Sequence, residues 1–143
     1  MKRNFIIAAA ASLMLLGEPA SAAQASEFVV VVNTGNPVRS LTTEQASKLF
    51  LKKSRSWEGG GAVVPVDLPE NAPARAAFSR TVHKKAVAAI VSYWHQQIFS
   101  GANTPPTTKS EADAVAFVRN TPGAIAYVSP GADTRGVKVV PVN

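Results

Sequence analysis

The chain contains no cysteine. That excludes disulfides, thiolate metal sites and cysteine nucleophiles, so stability has to come from packing. Histidine is nearly as scarce: His83 and His95 lie twelve residues apart, match no common zinc pattern and have no acidic neighbours at ligand spacing. No metal or other cofactor is therefore expected. A nucleophile elbow is also missing, and the acidic residues are spread along the chain without a pair suited to acid–base work, which argues against an enzyme. There is no repeat or low-complexity tract. The one long apolar run, Phe5 to Leu16, is too short to span a bilayer comfortably.

That run has a different reading. Lys2 and Arg3 precede it and Ala20-Ser21-Ala22 follows it, the charge, apolar stretch and small-residue site of an export signal. The expectation is a signal peptide over residues 1–22, cleavage near Ala22, a periplasmic location and no stable membrane insertion afterwards. About 121 residues then remain, residues 23–143, enough for a single domain with its own core. The formal net charge of +6 falls to +5, because Lys2, Arg3 and Glu18 leave with the signal. A modestly basic surface suits an anionic ligand, an anionic membrane face or nucleic acid. Export argues against nucleic acid.

Read in order, Glu27 to Val32 is a continuous β-branched run, the pattern of a strand buried on both faces. Thr42 and Gln45 form a capping box for a short helix with Ala46, Leu49 and Phe50 on its apolar stripe, ending near Leu51. Lys52, Lys53 and Arg55 then lead through Trp57 to Gly59, Gly60 and Gly61. A phosphate loop needs a Gly-Lys-Ser/Thr ending and a following helix, and neither is present, so this stretch reads as a turn with a solvated basic cluster and Trp57 as a packing lid.

Val63 to Asp67 is a strand, Leu68 to Asn71 a loop, and Pro73 to Val82 a helix. A strand feeding a helix N-terminus is where open α/β sheets usually place a ligand. After a break at His83-Lys84-Lys85, residues Val87, Ile90, Val91, Trp94 and Ile98 recur at helical spacing, with His95 beside them as a partly buried, hydrogen-bonded side chain. Ala102 to Lys109, with Pro105 and Pro106, reads as an extended surface loop. Ser110 caps a helix to about Asn120, Ala124 to Val128 is a strand, and Val137 to Val142 makes the last one. The alternation predicts an α/β domain, a small mixed sheet flanked by helices.

Several stretches together resemble a known family. Ser47-Lys48-Leu49-Phe50-Leu51-Lys52-Lys53, Trp57 before glycines, Val64-Pro65-Val66-Asp67, Ala74-Arg75 and Phe78, Trp94 with Ile98-Phe99-Ser100-Gly101, and Thr121-Pro122-Gly123-Ala124-Ile125-Ala126-Tyr127-Val128 are similar to the periplasmic substrate-binding proteins of phosphate ABC transporters, above all the short, single-lobe, phosphate-binding-like members. The resemblance runs from Phe28 to Val140. It implies two α/β lobes closing on an oxyanion in the full-length proteins, and a single periplasmic-binding-protein-like lobe here, since the chain is about half as long.

The resemblance also locates the binding residues. In phosphate-binding members an arginine in the loop and a Ser-Gly-Thr set at the helix start donate to the oxyanion, and these positions fall on Leu68 and on Ala72, Pro73 and Ala74. Hydroxyls and charge are missing, and Pro73 has no N–H. Nearby Asn71 and Arg75 are the remaining candidates for contact with a small oxyanion such as phosphate. Their bland alternatives are that Asn71 caps the helix and Arg75 is solvated. The resemblance implies a non-catalytic accessory or sensing domain with weak or lost phosphate binding; the alternative is a ligand-free module that docks an envelope protein partner.

Overall fold

The computed structural model describes residues 27–143. The signal peptide expected over residues 1–22 lies outside them. Among the described residues no helix is long and apolar enough to cross a membrane.

Five strands form one mixed sheet: β1 (Val29–Asn33), β2 (Val64–Asp67), β3 (Thr107–Thr108), β4 (Ala124–Val128) and β5 (Val137–Val140), in the spatial order β3-β2-β4-β1-β5. β1 runs antiparallel to both β4 and β5, whereas β2 is parallel to both β3 and β4. β1 and β4 thus sit inside the sheet, and every residue of β4 is buried. The continuous apolar run at Phe28 to Val32 follows from this position, because an inner strand has to present apolar side chains to both layers.

The register divides the core in two. Val30 opposite Tyr127 and Val32 opposite Ile125 face one layer, and Val31 opposite Ala126 with Val29 opposite Val128 face the other. The first layer is covered by α1 (Thr43–Phe50) and α2 (Pro73–Phe78), which supply Ala46, Leu49, Phe50, Ala74, Ala77 and Phe78. The second layer is covered by α4 (Glu111–Asn120) through Ala114, Val115 and Val118. The remaining helix, α3 (Val87–Phe99), buries Ile90 and Trp94.

The local signals for two helices act as expected. Gln45 N donates to Thr42 Oγ1 at 3.0 Å while Thr42 N donates to Gln45 Oε1 at 2.9 Å, closing the capping box of α1. At α4, Asp113 N donates to Ser110 Oγ at 3.2 Å. The triple glycine is a turn: Gly60 and Gly61 have φ of 92° and 91°, and an antiparallel bridge joins Ser56 to Ala62 around it. Trp57 closes over the first core layer and its Nε1–H donates to Gly123 O at 3.0 Å.

Four expectations are corrected. The helix after β2 is α-helical only to Phe78; Ser79–His83 continues as a wider π-helical turn that ends at Lys84 with φ of 58°. This turn keeps Ser79 and Val82 buried and His83 half-buried against the first layer. Thr107 and Thr108, inside the expected loop, form the edge strand β3 on β2, a pairing that a two-residue segment cannot announce by periodicity. Ile98 leaves the buried stripe of α3, being 51% exposed, with Phe99 next to it at 96%. His95 is exposed rather than partly buried, since it lies outside the face carrying Ile90 and Trp94.

Candidate functional site

The strand-loop-helix unit at β2 and α2 has the layout expected for a ligand site, but its polar groups turn inward. Pro73 is the first residue of α2, and its ring forces the preceding residue out of the helical region. Ala72 is consequently the N-cap, extended at ψ 129°, and it offers no side-chain cap. Asn71 lies one residue too early to cap and is exposed. That corrects the expected capping role of Asn71. The amides of Arg75 and Ala76 already donate to Ala72 O at 3.0 and 3.3 Å, and Ala72 N donates to Pro69 O at 3.0 Å, so these donors are not free to cradle an anion.

Arg75 is not solvated. It is 8% exposed, its Nη1 donates to Leu68 O at 2.8 Å, and its Nη2 lies 3.6 Å from Asp67 Oδ2. Leu68 itself, standing where the resemblance places a ligand-binding arginine, is 1% exposed and packed in the first core layer. The helical spacing that put Arg75 on the first turn is correct. The inward orientation follows from Asp67, a carboxylate at the buried end of β2 that needs a counter-charge once it leaves water.

Asp67 has two further partners. Its Oδ1 accepts a short hydrogen bond from Tyr127 Oη of β4 and one of 3.0 Å from Leu68 N. Burial nevertheless pushes its carboxyl pKa up, outweighing the opposing pull of Arg75, Tyr127 and Leu68 N. Burial first, and then the Asp67 charge, push the Tyr127 hydroxyl well above its ordinary range. The Tyr127 ring stacks on Phe78 with centroids 4.0 Å apart, and Phe78 in turn meets Phe28 and Phe50 edge-on. The polar triad is thereby clamped to the aromatic centre of the first layer.

A second polar contact was not legible in the sequence. Ser47 Oγ of α1 lies 2.8 Å from His83 Nδ1 in the π-helical turn, across thirty-six residues of chain. No motif joins such positions; only the packing of α1 against the turn brings them together. Burial, reinforced by Arg75, Lys53 and Lys85, pushes the His83 pKa down to about 4. Those cations oppose the imidazolium that a serine-type reaction would have to form, so the pair suits a structural contact better than proton transfer.

The depressed His83 pKa has a stability consequence. Its folded value of about 4 lies below the ordinary imidazole value of 6.5, so the unfolded chain binds more protons between these limits. Stability contributed by neutral His83 is full above pH ~6.5 and is lost as pH falls towards ~4, by on the order of 2–3 kcal/mol. Asp67, with its raised pKa, acts in the opposite direction above the ordinary carboxylate value. Urea titrations of the native protein and of His83→Gln between pH 4 and 7 separate the two. The difference between the curves should grow with pH, and a constant difference would refute the burial of a neutral imidazole.

Two open clefts flank the π-helical turn. One, of about 360 Å³, is lined by Thr43, Glu44, Ser47, Lys48, Lys53, Val82 and Lys84; the other, of about 450 Å³, by Ala76, Arg80, Lys84, Lys85, Ala86 and Val87. Neither is lined by Asn71 or Arg75. Among the described residues no group of three His, Asp or Glu side chains is placed to hold a metal ion.

No protein-family model matches the chain, and no curated protein matches it in sequence. Solved structures do match its fold. An ABC-type phosphate transport receptor from Vibrio cholerae superposes with a TM-score of 0.64 at 17% identity, over 81% of this chain and 46% of that one. A substrate-binding protein of the phosphate ABC transporter type from Clostridium perfringens, solved with bound phosphate, gives 0.62 at 22% identity over 81% of this chain and 44% of that one. PstS from Borrelia burgdorferi gives 0.57 at 11% identity over 82% and 47%. The matched region spans less than half the length of each of these proteins. At these identities the likeness concerns the fold, and it agrees with the mixed sheet and its two helical layers: the chain has the α/β fold of a single lobe of the substrate-binding proteins of phosphate ABC transporters.

Proposed function

We propose that this chain is an exported, non-catalytic domain of the solute-binding type that serves an accessory binding or sensing role in the periplasm, with phosphate binding weak or lost. The observation that carries this reading is the inward turn of Arg75 onto Asp67 and Leu68 O, beside Ala72, Pro73 and Ala74. The fold keeps the strand, loop and helix start, while the groups that would hold an oxyanion are missing or engaged elsewhere. Each charge-assisted hydrogen bond contributes about 1.5–3 kcal/mol, so losing several lowers affinity by several decades. A single lobe also leaves one side of an anion in water.

Isothermal calorimetry with phosphate, sulfate and other small anions tests the reading. Phosphate should give no heat, or a Kd no tighter than about millimolar, the range left when several such bonds are removed. Submicromolar phosphate binding, or hydrolytic turnover of a phosphoester, would reject it.

A second reading, a ligand-free module that docks an envelope protein, is favoured by a specific feature. Apolar and small residues fill the old donor positions, and a group of cations lies on the neighbouring surface around both clefts.

A further inference from the structure

Basic residues far apart in the chain converge in space. Lys48, Lys53 and Lys84 line one cleft, and Arg80, Lys84 and Lys85 line the next, so Lys84 joins the two into a single strip across α1 and the π-helical turn. Two carboxylates offset it: Glu44 pairs with Lys48 at 2.8 Å and Glu27 with Arg80 at 3.1 Å. Among the described residues Lys53, Lys84 and Lys85 have no ion-pair partner. Lys53 lies over the Tyr93 ring, 5.8 Å from its centroid. Like charge is felt at this surface, since Lys53 and Lys85, after burial and Arg75, help to lower the pKa of His83. Carboxylates brought to this strip would relieve that repulsion.

We propose that the strip formed by Lys48, Lys53, Arg80, Lys84 and Lys85 is a docking surface for an acidic segment of a partner protein. The local geometry favours spread carboxylates over a small oxyanion. Lys48 and Lys53 lie at the C-terminal end of α1 and Lys84, with φ of 58°, at that of the π-helical turn, while Arg80 lies in the turn and Lys85 just before α3. The amides after α1 turn back onto that helix: Lys53 N and Ser54 N both donate to Lys48 O, at 2.9 and 3.1 Å. The second cleft also meets the start of α3, where Ala86 and Val87 line it and the helix dipole presents its positive end, which adds to the attraction for carboxylates. The cations are spread over two adjoining clefts rather than gathered on one point, which fits a series of carboxylates better than a single small oxyanion.

A membrane face is a poorer match. The large exposed apolar residues on α3, Ile98 and Phe99, lie in its last turn, about 17 Å along the helix from Val87 at the edge of the second cleft. The strip itself has no apolar wedge of that size to insert. This inference deepens the docking-module reading and rests on it for the class of partner. It is independent of phosphate binding, so the calorimetric result above and the result here fail separately.

A fluorescein-labelled peptide of ten glutamates, titrated with the full chain and followed by anisotropy, tests it. Saturable binding is expected in 20 mM NaCl and at least tenfold weaker binding in 150 mM, as screening of exposed charges requires. Lys53→Glu with Lys84→Glu should weaken binding at least tenfold, while Arg39→Glu, at an exposed position off the strip, should change it less than twofold. Thermal melts establish that each variant is folded. If the double reversal unfolds, Lys84→Gln with Lys85→Gln replaces it, with at least threefold weakening expected. Absence of peptide binding, or binding unaffected by the strip variants, overturns the proposal. So does strip-dependent binding of inorganic phosphate or of phosphatidylglycerol vesicles when the peptide fails to bind.

Discussion

Arg75→Met should destabilise the protein by about 3–5 kcal/mol, the usual effect of removing one partner of a buried ion pair. The side chains of Arg75 and Asp67 are 9% and 13% exposed, so the carboxylate left behind has little access to water. Leu68 O loses its 2.8 Å donor at the same time. A urea denaturation midpoint, with the slope unchanged, measures the loss directly. Asp67→Asn in the Arg75→Met background should recover part of it, since a neutral amide costs less to bury than an unpaired carboxylate. A double-mutant cycle is expected to give a coupling of at least about 1 kcal/mol. If Arg75 were a solvated residue or an exposed anion contact, its replacement would shift stability by no more than about 0.5 kcal/mol, and that result would refute its burial.

Phe78→Ala should cost a similar amount, about 3–5 kcal/mol, for a different reason. Phe78 is 1% exposed and stacks on Tyr127 at 4.0 Å and 5° while meeting Phe28, Phe50 and His83 edge-on. Truncation removes apolar burial and leaves a cavity in the centre of the first layer that β1, β4, α1 and α2 cannot all close. It also frees the Tyr127 ring, whose hydroxyl is the Asp67 partner, so the loss spreads to the polar triad. Phe78→Leu should lose much less, about 1–1.5 kcal/mol, because most of the volume is kept. Equal losses for the alanine and leucine variants would show that ring stacking, not volume, dominates at this position.

Both predictions begin from residues that the chain order made visible without showing what they do. Phe78 fell within the expected helix after β2 and Tyr127 within the expected strand Ala124 to Val128, with no contact assigned to either. Their stacking required β4 to lie beside β2, although fifty-six residues separate Asp67 from Gly123. Arg75 was placed correctly on the first turn of α2, but the solvated alternative to its anion-contact reading does not hold, because its partner Asp67 closes a buried end of the sheet that no local pattern reveals. Asn71 was misjudged for a more local reason: Pro73 fixes the helix start and hands the N-cap to Ala72. The Ser47–His83 contact and the basic strip have no linear signature at all.

The amino-acid sequence by itself determined the elements governed by nearest-neighbour physics. Capping hydroxyls at Thr42 and Ser110, the β-branched run before Asn33 and the glycine turn after Trp57 each act within a few residues, so their effect is present in the local chain. It also determined that Ala72, Pro73 and Ala74 carry no side-chain donor and that Pro73 has no N–H, because a hydroxyl or N–H is a matter of residue identity. Only the tertiary structure decided strand direction, the pairing of Arg75 with Asp67 and the gathering of Lys48, Lys53, Lys84 and Lys85 on one surface. Those outcomes depend on which distant segments share a layer, and burial of an apolar face, which drives the layering, carries no record of its partner in local sequence.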